Sequence, residues 1–158
     1  MILLNGISDS GGQDTLVDGN QFKRVCYSIV TNLGGRILSF REPVVAQNYY
    51  YAEVSFANED RLYILINSNY PFIAFTTSPV PFNMTFVDHK QLTVSINQLC
   101  GEVYRVLQPD ELYEPLRLKE AKGNLVVVNE NTLNKWDLYN IKYWQPKTVG
   151  DVVFNYWD

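Results

Sequence analysis

The pattern of apolar and polar positions divides the chain into three zones. The first, residues 1–20, is polar and rich in turn formers, and reads as a loose segment leading to the first long strand. From Gln21 to Asp88 short apolar runs alternate with turn chemistry, the pattern of strands. Phe22, Val25, Tyr27, Ile29 and Thr31 form a β-branched and aromatic run, Gly34-Gly35 punctuates it, and Arg36 to Phe40 follows in a hairpin-like arrangement. Tyr49 to Phe56 is the next strand, Asn58-Glu59-Asp60 supplies a turn, and Leu62 to Ile66 comes after it. That last run is apolar at every position, which places it centrally in a sheet with both faces covered. Phe72 to Phe75 and Phe82 to Val87 read as further strands. Ser78-Pro79-Val80-Pro81 between them lacks the donors for a full ladder and belongs to an edge or a loop. Short connections favour antiparallel pairing.

The third zone, 89–158, mixes periods. Asp88-His89-Lys90-Gln91 has the form of a helix start, with Asp88 as cap and Gln91 three residues on. Leu92, Ile96, Leu99 and Cys100 then share a helical face, and Gly101 is placed to end it. Leu92, Val94 and Ile96 also alternate, so a strand competes with the helix there. Val103 to Leu107 reads as extended. Leu116 to Glu120 and Leu125 to Val128 flank Lys122-Gly123-Asn124, a hairpin signal. Asn131 to about Ile141 reads as a helix with Asn131 near its cap. At the end, Thr148 and Asp151 have capping-box spacing, and Val149, Val152, Val153, Tyr156 and Trp157 recur at helical period. This predicts a helix over 148–157 that buries its stripe on the sheet. The expected fold is therefore a single α+β domain, 1–158: a largely antiparallel sheet with a few short helices, the last packed on the sheet.

Composition narrows the classes. A chain of 158 residues with 46% hydrophobic and 19% charged residues is globular and long enough to bury a core. Its net charge is −4, and its 13 Lys and Arg are scattered. Nucleic-acid binding needs clustered cations, so it is not expected. No apolar stretch approaches the roughly 20 residues that span a bilayer, and the N-terminus has no basic region before its short apolar run. A cytoplasmic protein away from membranes is expected, with Cys26 and Cys100 reduced and buried.

Candidate chemistry is sparse. Asp9, Asp14 and Asp18 lie among glycines but lack the spacing of an EF-hand loop. The only histidine is His89, read as an exposed first-turn residue, so no site with two histidine ligands can form. Gly11-Gly12 and Gly34-Gly35 match no phosphate-binding loop. Glu53, beside Tyr49-Tyr50-Tyr51, is the most conspicuous strand carboxylate, but an outward-facing polar position on an alternating strand is the better account of it. No catalytic residue, metal site or cofactor is expected. Two acidic clusters are candidates for recognition: Glu59 and Asp60 at a turn, and Asp110, Glu111 and Glu114 in a loop between Pro109 and Pro115. Together with 11 tyrosines they suit a basic protein partner, the carboxylates steering its approach and the aromatic rings holding it.

The C-terminal stretch I-K-Y-W-Q-P-K-T-V-G-D-V-V-F-N-Y-W-D, residues 141–158, resembles the ending of small proteins of Gram-positive bacteria. Some of these are similar to cytoplasmic immunity proteins of polymorphic toxin systems. The resemblance implies a non-catalytic module that inhibits a cognate toxin by occlusion, and it carries over no binding residue. The alternative is a β-rich domain that binds a small ligand or carbohydrate, marked by a concave, aromatic-lined pocket.

Overall fold

Asp18 opens the first element. Its carboxylate accepts from the N–H groups of Asn20 and Gln21 at 2.9 and 3.2 Å. Behind this cap Gly19–Asn32 is a helix, α1, where the sequence predicts a strand. Phe22, Cys26, Ile29 and Val30 fall at i, i+4, i+7 and i+8 and are its buried face. A capped apolar stripe of helical period outweighs the strand preference of the β-branched residues between. Gly34-Gly35 accordingly ends a helix rather than turning a hairpin. Gly34 takes φ +79°, and the Gly35 N–H donates back to Val30 O at 2.8 Å. The computed structural model describes residues 1–9, 16–57 and 59–157.

The sheet follows in chain order: β1 (Arg36–Arg41), β2 (Tyr49–Ser55), β3 (Leu62–Asn67), β4 (Phe72–Thr76) and β5 (Phe86–Val87), each antiparallel to the one before. β3 is central and buried on both sides, as its unbroken apolar run requires. β5 is shorter than the predicted 82–87 strand. After β5 the helix α2 (Lys90–Cys100) crosses over, and β6 (Arg105–Val106) pairs in parallel with the start of β4. α2 settles the ambiguity of residues 92–100 in favour of a helix, but its cap is His89, not Asp88: Nδ1 of His89 accepts from the Leu92 N–H at 3.2 Å.

Strand alternation sorts the side chains into two cores. Ala52, Val54, Ile64, Ile66, Ile73 and Phe75 meet α1 and α2 on one side of the sheet. Tyr49, Leu65, Ala74 and Phe86 face the other side, against Leu3, Ile7 and the later helices. These are α3 (Pro109–Leu112), α4 (Lys135–Trp144) and α5 (Val149–Val153), with the hairpin β7 (Leu118–Ala121) and β8 (Asn124–Val127). The hairpin turns on Lys122 and Gly123, at φ +52° and +77°. Two positive φ values in a two-residue turn match the strand twist, which is why Gly is placed there. The architecture is α+β.

Two helices differ in extent from their sequence signals. α4 begins after Asn134, which exchanges hydrogen bonds with Asp137 in a capping box (2.8 and 3.0 Å), while Asn131 donates to Val127 O and Asn129 O upstream. α5 has the predicted Thr148/Asp151 box and buries Val149, Val152 and Val153, but stops at Val153. The next residues pair with another segment instead of continuing the helix. The Asn155 N–H donates to Asn48 Oδ1 at 2.7 Å, Tyr156 bridges Gln47, and the Trp157 N–H donates to Ala46 O at 3.3 Å. Gly150 is required where α5 crosses α3, because a Cβ there would lie 2.6 Å from the Phe86 ring and 3.0 Å from Leu112 O.

Side-chain amides fasten the chain segments on this side. Asn48 and Asn67 each donate to both Ile7 O and Val153 O, and Asn155 donates to Ser8 O and Val152 O. Buried Asp137 accepts from the Gly6 N–H and Ser8 Oγ. Residues 1–9 are thus anchored by buried Leu3, Ile7 and Ser8, and Asp18 caps α1. Among the described residues no helix is long and apolar enough to cross a membrane.

Candidate functional site

Helix α4 is apolar on more than one side. Ile141 and Leu138 turn into the core, capped by buried Asp137. Trp136, Tyr139 and Tyr143, at i, i+3 and i+7, form a second stripe that faces water, 57%, 59% and 69% exposed. Trp136 and Tyr139 stack at 5.5 Å between ring centroids, and Tyr143 meets Trp144 edge-on at 5.2 Å. Trp144 lies parallel to Trp157 at 6.5 Å and is flanked by Phe82 at 6.1 Å. The backbone bond from Trp157 to Ala46 extends this surface to the β1–β2 turn, where Val44 and Val45 are exposed, Val45 at 87%. Ala46 holds φ +69°, a left-handed conformation that is costly for a residue with a Cβ.

A cleft of about 120 Å³ opens within this surface. Trp136 and Asn140 of α4 form one wall, Asn155 and Trp157 another, and Ser8, Asp9 and Ala46 complete it. The indole N–H of Trp157 is buried and has no acceptor among the described residues. Among the described residues, Asp9 is the only charged one lining the cleft.

The acidic residues singled out in the sequence occupy two separate places. Glu59 and Asp60 are exposed in the β2–β3 turn, at the Leu62 and Thr76 end of the sheet. Glu111 ion-pairs with Arg105, which aligns with Phe72 at the other end of β4. The Pro-framed stretch is not a loop throughout: Pro109–Leu112 is α3, with Glu111 accepting from the Gln108 N–H at 2.9 Å as part of its cap. Proline at the first helical position and two acidic residues behind it favour a helical turn. Glu114 accepts from Asn129 and Arg117 at 3.1 and 3.4 Å, and Glu59 from His89 at 3.2 Å. Asp110 is exposed, its Oδ1 accepting from the Glu111 N–H. Three of the five carboxylates thus already hold a cation or an imidazole of this chain.

The remaining reactive groups are structurally committed. His89, read from sequence as exposed, has a side chain only 13% exposed, stacked on Phe56 with centroids 5.3 Å apart and bound through both ring nitrogens. Glu53 binds Arg61 at 2.9 Å and Ser39 at 3.2 Å. Burial pushes the Cys26 thiol up, with a smaller push from Cys100, whose own thiol is raised by desolvation. Asp14 lies outside the described residues, and Asp18 is a helix cap. Among the described residues no three His, Cys, Asp or Glu side chains cluster as metal ligands would.

The α4 surface escapes a reading that counts hydrophobic residues, because Trp and Tyr at helical spacing look like core. The usable signal is that α4 carries two apolar stripes, and a short helix on a protein surface can bury only one. No protein-family model matches the chain, and no curated protein and no solved structure is significantly similar to it.

Proposed function

We propose that the chain is a protein-binding module with no chemistry of its own, an immunity-type inhibitor that covers a basic toxin domain. The observation that carries this reading is the exposed Trp136, Tyr139 and Tyr143 stripe, continuous with Trp144, Trp157 and Val45. Large aromatic residues held in water on a folded surface are the residue types that dominate binding energy at protein interfaces. The net charge of −4, with exposed Asp60 and Asp110, attracts a basic partner at long range, and Glu59, Glu111 and Glu114 add to that field. A carbohydrate or small-ligand site draws on the same cleft, since indoles beside Asp, Asn and Ser suit a sugar. At about 120 Å³ the cleft falls below the roughly 300–1,000 Å³ of small-molecule pockets, and it matches one side chain of a protein partner better.

The experiment pairs binding kinetics with cell survival, using toxin domains encoded beside the gene. The wild-type protein is expected to form a stable complex and to protect cells that express the toxin. Trp136→Ala/Tyr139→Ala/Tyr143→Ala is expected to keep its melting temperature while dissociating about 100-fold faster. Asp60→Lys/Asp110→Lys is expected to slow association, less so as salt rises. If no neighbouring toxin binds and cells are not protected, the inhibitor reading is wrong.

A further inference from the structure

Resting on the reading of a basic protein partner, we propose that the cleft between α4 and the C-terminal segment receives one arginine side chain of that partner. Its guanidinium lies against the indoles of Trp136 and Trp157 and pairs with the carboxylate of Asp9.

Size comes first. A cleft of about 120 Å³ holds one side-chain head and not a helix or a sugar chain. Charge comes second. Among the described residues Asp9 is the only charged one in the lining, and Lys135 and Lys142 of α4 are outside it. An anionic side chain is repelled by Asp9, and an apolar one strips water from that carboxylate without replacing its hydrogen bonds, a costly exchange. A cation satisfies it.

The walls then select among cations. Indole faces attract positive charge, tryptophan most strongly of the aromatic residues. A planar guanidinium can lie along an indole while its N–H fork points sideways to acceptors, whereas an ammonium is a point charge. Acceptors are present: among the described residues no N–H donates to the Asp9 carboxylate or to the side-chain oxygens of Asn140 and Asn155. Asn155 is held rigidly by its bonds to Ser8 O and Val152 O, so its oxygen is presented without further ordering.

The test uses the intact protein, labelled with 15N, and follows the indole N–H cross-peaks of its three tryptophans. N-acetyl-arginine amide is expected to shift the Trp136 and Trp157 signals saturably. N-acetyl-citrulline amide, nearly the same shape without the charge, is expected to leave them in place. Asp9→Asn is expected to weaken the arginine derivative about tenfold at an unchanged melting temperature, and Trp136→Ala to abolish its effect on Trp157. Equal binding of the citrulline derivative, tighter binding of N-acetyl-lysine amide, no shift at all, or full affinity in Asp9→Asn each overturns the proposal. The two readings fail separately. A toxin complex whose affinity ignores Asp9→Asn removes the arginine site and leaves the inhibitor. Saturable arginine binding without any toxin complex does the reverse.

Discussion

On the α1/α2 side of the sheet, helices of 14 and 11 residues lay apolar stripes over the strands, and the buried contacts are hydrocarbon and aromatic. On the opposite side the cover is made of residues 1–9, the segment 154–157 and helices of 4, 10 and 5 residues. Most of the buried polar residues lie here: Ser8, Asn48, Asn67, Asn129, Asp137 and Asn155. A long helix satisfies its own backbone and needs only apolar side chains to dock. Irregular segments bring unpaired N–H and C=O groups into the core, and each must find a partner there. Asparagine, with two donors and an acceptor on a short stem, supplies those partners. The polarity of each core thus follows from the regularity of the backbone that covers it.

The comparison is broken most severely by removing residues 149–158. Val149, Val152, Val153 and Phe154 are all buried. At roughly 1.5–3 kcal/mol each, their loss is comparable with the whole stability of a domain, about 5–15 kcal/mol. The truncated protein is expected to show no cooperative transition by calorimetry; an unchanged melting temperature would refute the account of this layer.

A smaller effect separates the two sides directly. Asn67→Ala leaves Ile7 O and Val153 O with Asn48 as their side-chain donor, takes away the acceptor of the Asn69 and Tyr70 N–H groups, and is expected to cost about 3 kcal/mol in denaturant unfolding. Ile64→Val, on the helical side of the same strand, is expected to cost about 1 kcal/mol. Equal costs would mean that the amide network is incidental.

The smallest effect is alkaline. Burial pushes the Tyr49 hydroxyl up to about 12, with Tyr51 adding to the rise and Gln47 opposing it. The folded state therefore keeps a proton that the unfolded chain releases near pH 10. The associated stability is intact below pH 10 and is lost as pH rises from about 10 to 12. Tyr49→Phe is expected to cost about 1 kcal/mol at pH 8, for the lost bond to Pro79 O, and to lose less than the wild type between pH 8 and pH 11. Parallel losses in the two proteins would assign the alkaline sensitivity elsewhere.

How much was legible followed local signals. β3 announced its central place by five consecutive apolar residues, and Lys122-Gly123 announced the hairpin. The Thr148/Asp151 box marked the start of α5, but nothing nearby revealed that Asn48 would draw residues 154–157 out of the helix. α1 reads as a strand in the sequence because Val25, Tyr27, Ile29 and Thr31 alternate, although Phe22, Cys26 and Ile29 also recur at helical spacing. The Asp18 cap was the deciding sign. Glu111 and Glu114 were recognisable as acids, while their ties to Arg105 and Asn129 depended on the tertiary fold. The cleft joins residues 8–9, 46, 136–140 and 155–157, a juxtaposition that no local pattern encodes.

The amide clasp also bears on the order of assembly. Asn155 reaches Ser8 across 147 positions, and Asn48 and Asn67 reach Val153 across 105 and 86. Contacts so distant along a chain form late, because their closure entropy is spent before they contribute. The strands and α1 can gather from near neighbours, whereas the second layer must wait for both distant segments to meet. Until they do, Tyr51, Tyr63, Leu65 and Phe72 present a bare apolar surface, and self-association during refolding is concentrated on that side of the sheet.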